Sequence, residues 1–313
     1  MSYKKTIRGW VICIIISLGL YEYFEAPDLT AEEEVVFEDT SQNEEDIAES
    51  PGNLEVHFLD VGQADCTLIK CDGYTMLIDA GEDDQGTKIQ NYLKKQGVEK
   101  LDYLVLTHPD SDHIGSADVI LTKFETGMVF MSDFEKETNI YIDLLQLMKD
   151  SQIEYLTPEV GDIYPLGSAS FQILAPNDEY EDQNNASIAL LLTHGENSFL
   201  FTGDAEKSAE KDMLDNGLNL AADVFHAGHH GSKTSNTEDF MNAVNPQYAV
   251  ISCGVDNSYG LPDAEVLNRF RQNGIKVYRT DEQGTIVVSS DGKQITFNAS
   301  PSETWQAGEK NKE

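Results

Sequence analysis

The stretch 101–115, LDYLVLTHPDSDHIG, constrains the fold of this chain more than any other. Its first residues form a nearly unbroken apolar run, the pattern of a strand buried on both faces. The run ends directly in a turn carrying His108, Asp110, Asp112 and His113, and a helical pattern follows near 116–121. Strand, loop and helix in that order put the polar side chains at one end of a sheet, where loops from other strands can converge. The arrangement recurs: Asp204 follows FLFTG, and His226, His229 and His230 follow ADVF.

The rest of the chain is compatible with that frame. From Leu54, LEVHFLDVG, DCTLIKC and YTMLIDAG read as three adjacent strands separated by Gly and Asp turn signals. GMVFMSD, ASFQILAP, ASIALLLTHG, NSFLFTGD, QYAVISCG, KVYRT, GTIVVSSDG and QITFNAS add further strands. The spacing predicts helices over about 85–96, 140–150, 205–215 and 262–274. Short strands interleaved with helices over this length imply α/β architecture, with sheets packed face to face and covered by helices.

The N-terminus differs in kind. Residues 1–24 carry Lys4, Lys5 and Arg8 ahead of the apolar run WVICIIISLGLYEYF, the layout of a signal or membrane-anchor segment. The residue types expected at a cleavage site are poor, which favours an uncleaved anchor, with a buried helix as the alternative. Positive charge ahead of that run places the remainder outside the cell. Residues 25–52 form an acidic linker: 22–50 hold 12 acidic residues and no Lys or Arg. A domain over 53–299 and a loose polar tail over 300–313 complete the expected organisation.

Charge excludes one class of partner surface. The chain has 21 Lys+Arg against 56 Asp+Glu, a net of −35, and −26 of that lies from Pro51 onward. No broad basic face is available for a phosphate backbone. Cys66, Cys71 and Cys253 lack C-x-x-C spacing and read as buried thiols.

Four carboxylates and imidazoles within six residues repel or compete unless a cation organises them, and mixed His/Asp sets suit Zn, Mn or Fe. A helix N-terminus, with Asp110 to Asp112 as capping residues, is the competing reading; it accounts for the aspartates and leaves two histidines unexplained.

THPDSDHIG resembles the H-x-[HD]-x-D-H signature of the metallo-β-lactamase superfamily. With FLDVGQADC, MLIDAG, NNASIALLL, FLFTGD and HHGSKTS in the same order, residues 53–299 resemble the C-terminal hydrolase domain of ComEC-type competence proteins, in a free-standing form. The resemblance implies an αββα sandwich with two divalent metal ions, Zn or Mn, along one edge. It implies His108 and Asp110 at the first metal, Asp112 and His113 at the second, Asp204 bridging, and the last ligand in HAGHHGS, at His229 with His230 as its close neighbour. Asp112, Asp204 and His230 are the implied catalytic residues.

Three positions depart from the superfamily pattern. Asp110 stands where many members have His, which makes the first site harder. The separate His between the first motif and Asp204 is missing, and NNASIALLL offers Asn184, Asn185 and Ser187 instead. Leu261 stands in YGLPD where relatives often have His. Asp60, Asp65 and Asp79 suit either support of metal ligands or turn chemistry, while His57, His194 and His226 read as structural. Ser232 and Lys233 are candidate phosphate contacts.

The expected function is an extracytoplasmic metal-dependent phosphodiesterase or nuclease acting on DNA or another phosphodiester through a metal-activated hydroxide. Teichoic-acid or other small phosphodiesters, and a degenerate non-catalytic metal-binding module, are the alternatives. The sequence implies no protein partner.

Overall fold

A computed structural model describes residues 52–309 of the chain. The signal or anchor segment and almost all of the acidic linker lie outside the described residues, and among those described no helix is long and apolar enough to cross a membrane. In chain order the strands are β1 (Leu54–Phe58), β2 (Thr67–Cys71), β3 (Tyr74–Ile78), β4 (Lys100–Leu106), β5 (Glu125–Met131), β6 (Tyr155–Leu156), β7 (Ile163–Leu166) and β8 (Ala169–Ala175). They continue with β9 (Ala189–His194), β10 (Asn197–Phe201), β11 (Val224–His226), β12 (Tyr248–Ile251), β13 (Lys276–Arg279), β14 (Ile286–Ser290) and β15 (Ile295–Phe297). The helices are α1 (Gly86–Lys95), α2 (Ser111–Ile114), α3 (Ala117–Lys123), α4 (Asn139–Asp150), α5 (Lys207–Asp215), α6 (Glu238–Val244), α7 (Ala264–Gln272) and α8 (Thr280–Gln283).

Two mixed sheets result. The first runs β15-β14-β1-β2-β3-β4-β5-β6 and the second β13-β12-β11-β10-β9-β8-β7. In the first, β15 through β3 pair antiparallel and β3 through β6 parallel; in the second, β13 through β10 are parallel and the remainder antiparallel.

The dense apolar strands follow from burial on both faces. Leu54, Val56 and Phe58 of β1, Ile69 of β2, Met76 and Ile78 of β3, and Val105 of β4 meet Phe171, Phe199 and Phe201 between the sheets. Their alternates, Leu68, Leu77, Leu104 and Leu106, pack outward under α1, α3 and α4 with Ile89, Leu93, Ile120 and Leu144. On the second sheet Leu200 and Phe225 face outward to Met213, Phe240, Leu267 and Phe270 of α5, α6 and α7. The period-2 switch of side chains thus splits each strand between an inter-sheet core and a helix-covered core. Helices lie on the outer face of each sheet, the αββα arrangement.

β6, β7 and α8 are absent from the sequence reading, because two-to-four-residue elements carry too little periodicity. Residues 300–309, read as a loose tail, are tied to the second sheet's side: Ser302 N–H donates to Val277 O (2.7 Å), Gly308 N–H to Pro262 O (3.0 Å), and Trp305 packs on the outer core beside Arg271. One aromatic side chain and a few main-chain bonds outweigh the polar composition there. Cys66, Cys71 and Cys253 are buried free thiols.

Candidate metal centre

The candidate metal ligands His108, Asp110, Asp112, His113, Asp204, His229 and His230 all follow the C-terminal end of a strand that has a parallel neighbour. The α2 loop follows β4, Asp204 follows β10, and the histidine loop, a 3-10 turn at Gly228–Gly231, follows β11. Because β4 belongs to one sheet and β10 and β11 to the other, facing the sheets brings the three loops to one edge of the sandwich. Asp65, before β2, and Asp79, after β3, join them.

The His108 and His113 rings lie 4.1 Å apart between centroids. Asp204, almost fully buried, sits between two groups and offers them different oxygens: Oδ1 is 3.3 Å from His113 Nε2, while Oδ2 is 3.8 Å from His108 Nε2 and 3.6 Å from His229 Nε2. His230 Nε2 lies 3.1 Å from Asp112 Oδ2. One ligand atom from each of Asp112, His113, Asp204 and His230 falls within 4.8 Å of all the others. The structure therefore puts His230 beside Asp112 and His113, and puts His229 on the opposite side of Asp204.

Supporting side chains fix how these groups point. Asp79 takes a left-handed φ of 59° after β3 and accepts from Thr107 N–H (2.8 Å) and Thr107 O–H. Its Oδ2 lies 2.8 Å from His113 Nδ1, so the carboxylate holds a proton there and leaves Nε2 facing Asp204. His230 Nδ1 is held by Ser252 O (3.0 Å) and Asp65 Oδ1 (3.4 Å). Ser187 lies 3.3 Å from His108 Nδ1 and accepts from Asp204 N–H (3.1 Å), behind the centre rather than in it. Asn184 Nδ2 donates to Glu206 Oε1 (3.4 Å) and leaves its Oδ1 buried without a hydrogen-bond partner, while Asn185 bonds Asp182 and the start of α5. Asp60 stays in its turn near Gly62 N–H, and His226 bonds Ser252 Oγ (2.8 Å). Ser232 Oγ pairs with Thr234, and Leu261 is buried.

The histidine loop is strained. His229 (φ 52°) and His230 (φ 54°) both occupy left-handed conformations that side chains disfavour. Asn236 over-determines this turn: its Oδ1 accepts from Gly228 N–H (3.1 Å) and its Nδ2 donates to Gly228 O (2.9 Å) and Ser232 O (3.0 Å). Glu210 of α5 accepts from Asn236 N–H and Thr237 N–H. Gly203 (φ 51°), before Asp204, is required for a second reason: a Cβ there would come within 2.9 Å of Thr107. The α2 loop, GD and GHHGS carry the local signal; Asn236 lies only four and eight residues from the groups it bonds but belongs to no motif, and Glu210 is more than 25 residues from the turn it holds.

The carboxylates and imidazoles of the centre shift one another. Burial alone would raise the Asp204 and Asp112 carboxyls, yet the neighbouring imidazoles hold both below the usual carboxylate range. Burial would depress His113 and His230, and the surrounding carboxylates push both well above the ordinary histidine value. His108 Nε2, His113 Nε2 and Asp204 Oδ1 are buried with no hydrogen-bond partner. Buried polar atoms left unpaired are costly, and here they face a common space among carboxylates, as ligands to a divalent ion would. Asp110 occupies the N-cap position of α2 but makes no side-chain capping bond, so capping does not account for it.

Residues 59–127 and 178–255 match the model of the metallo-beta-lactamase superfamily. The chain carries a domain of that superfamily. ComE operon protein 3 of Bacillus subtilis (strain 168) is 33% identical over 216 residues, 67% of this chain and 27% of its own length. Competence protein ComA of Neisseria gonorrhoeae is 32% identical over 230 residues, 72% of this chain and 31% of its own. The chain thus spans less than a third of these relatives. Among solved structures, the metallo-beta-lactamase fold protein YhfI from Bacillus subtilis superposes with a TM-score of 0.52 at 12% identity, covering 76% of this chain and all of that one, a likeness of fold. The superfamily domain is of a metal-dependent hydrolase family whose fold binds divalent ions, often two, and the His/Asp cluster fits that donor set.

Proposed function

We propose that this protein is a metal-dependent hydrolase of phosphodiesters, DNA or smaller, acting outside the cell. The observation that carries the reading is Asp204 presenting Oδ1 to His113 and Oδ2 to His108 and His229, a buried carboxylate that faces both groups of candidate ligands. Asp112, His113, His230 and Asp204 would hold one ion, and His108, Asp110 and His229, with Asp204 again, would hold the other. Bound divalent ions supply Lewis acidity, lowering the pKa of a coordinated water and neutralising a phosphoryl oxygen.

The chain's own residues do the rest. Asp79 keeps the His113 proton on Nδ1, and Asp65 and Ser252 O do the same for His230, so both Nε2 lone pairs face inward. Packed side chains behind the loops, Thr107 and Ser187 among them, exclude water from the back of the centre. The acidity of the chain favours short or single-stranded phosphodiesters over duplex DNA, because repulsion grows with the number of phosphates brought near. That supports teichoic-acid-like and other small phosphodiesters as the second substrate reading. The competence relatives and the N-terminal apolar run support an envelope location, reached through a signal or anchor.

The test is hydrolysis of bis(p-nitrophenyl) phosphate and of single-stranded DNA by the purified chain with Mn or Zn, at several ionic strengths. Asp204→Asn lowers the rate about a hundredfold or more; an unchanged rate refutes the bridging role.

A further inference from the structure

The two halves of the centre differ in one respect that no motif announces. Asp110, the carboxylate of the first half-site, already has a cation: the Lys136 ammonium, from the loop between β5 and α4, pairs with its Oδ1. Its other oxygen, Oδ2, accepts from Gln183 Nε2 at 3.3 Å and lies 3.8 Å from His108 Nε2. Lys136 and Asp110 are each only about a quarter exposed, so solvent screens the pair incompletely. Among the described residues no lysine or arginine pairs with Asp112 or Asp204 of the second half-site, and it alone includes four ligand atoms drawn within 4.8 Å of one another.

We propose that Lys136 is the resident cation of the first half-site and sets an order of metal loading. The first ion enters the cluster of Asp112, His113, Asp204 and His230. An ion at the first half-site binds only as the Lys136 ammonium swings away from Asp110. The two cations compete for one carboxylate, so each weakens the other's binding by the same factor. Gln183, a neutral donor to the same carboxylate, holds Asp110 in place without adding a competing charge. The proposal rests on the two-ion reading above, but its test reads binding and not turnover.

Mn titration of the purified chain, followed by the free-ion electron paramagnetic resonance signal, tests it. The wild-type chain is expected to take one ion tightly and a second more weakly. Lys136→Gln tightens the weaker class about tenfold or more and leaves the tighter class unchanged, which also shows that the variant is folded. Lys136→Met, which removes the charge while keeping a long side chain, gives the same result. The exchange-coupled signal of a bridged Mn pair then appears at lower total Mn in both variants. The proposal is overturned if the wild type binds two ions with equal affinity, or if both variants leave the weaker class within twofold of wild type. Absence of any tight Mn site overturns it together with the two-ion reading, whereas two normal sites with no hydrolysis overturn only the proposed activity.

Discussion

Asp79→Asn isolates the role of a residue that is not itself among the ligands assigned above. The Asp79 carboxylate, 1% exposed, accepts from Thr107 N–H through Oδ1 and from Thr107 O–H, and its Oδ2 lies 2.8 Å from His113 Nδ1. Asparagine matches its shape but places either an NH2 or a neutral carbonyl against the imidazole. With NH2 there, His113 keeps the hydrogen bond only by moving its proton to Nε2, the atom that faces Asp204 Oδ1. A protonated Nε2 cannot ligate. With the carbonyl there, a charge-assisted bond becomes a neutral one, out of a typical contribution of about 1.5–3 kcal/mol. Each 1.4 kcal/mol is tenfold in affinity, so Asp79→Asn weakens the tighter ion site by about 10- to 100-fold. Competition against a chromophoric chelator at fixed pH measures this, with a thermal melt in chelator confirming that the variant folds. A folded Asp79→Asn chain that holds its tight ion within twofold of wild type would refute the claim that Asp79 sets the His113 tautomer.

Asn236→Ala, which removes three hydrogen bonds from a left-handed turn, should cost about 2–4 kcal/mol in stability and lower occupancy of both ion classes; a denaturant melt with metal analysis checks it. The melting temperature in chelator should depend on pH in two directions. The raised values of His113 and His230 contribute stability below the ordinary 6.5, lost as pH rises through the raised values, while the lowered Asp112 and Asp204 contribute above 3.8, lost on acidification. The ion-free chain is therefore expected to be most stable between those two reference values, and saturating Mn, which replaces the imidazole protons, should remove the decline on the alkaline side. A melt that stays flat in chelator from pH 6 to 9 would contradict the raised imidazoles.

Much of the molecule is legible in the chain because its signals are local. Apolar runs such as LDYLVL and NSFLFTGD mark strands buried on both faces, the turns after them carry the metal-binding residue types, and the motif order names the superfamily. The short strands β6 and β7 left no periodic signal, and the tail through Trp305 reads as polar though it is packed.

What the sequence alone determined is which loops carry the ligand-type side chains and which fold presents them, since both depend on residue type and spacing along the chain. Which oxygen of Asp204 faces His113 and which faces His108 and His229, that His230 rather than His229 reaches Asp112, and that Lys136 pairs with Asp110 were decided only by the tertiary structure. The two adjacent histidines are chemically identical, and two consecutive left-handed residues send their rings to opposite sides of a carboxylate from another strand. Lys136 lies 26 positions from Asp110 with no motif of its own. Only the packing of β5 beside β4 brings its loop to the centre, and spacing along a chain has no term for that.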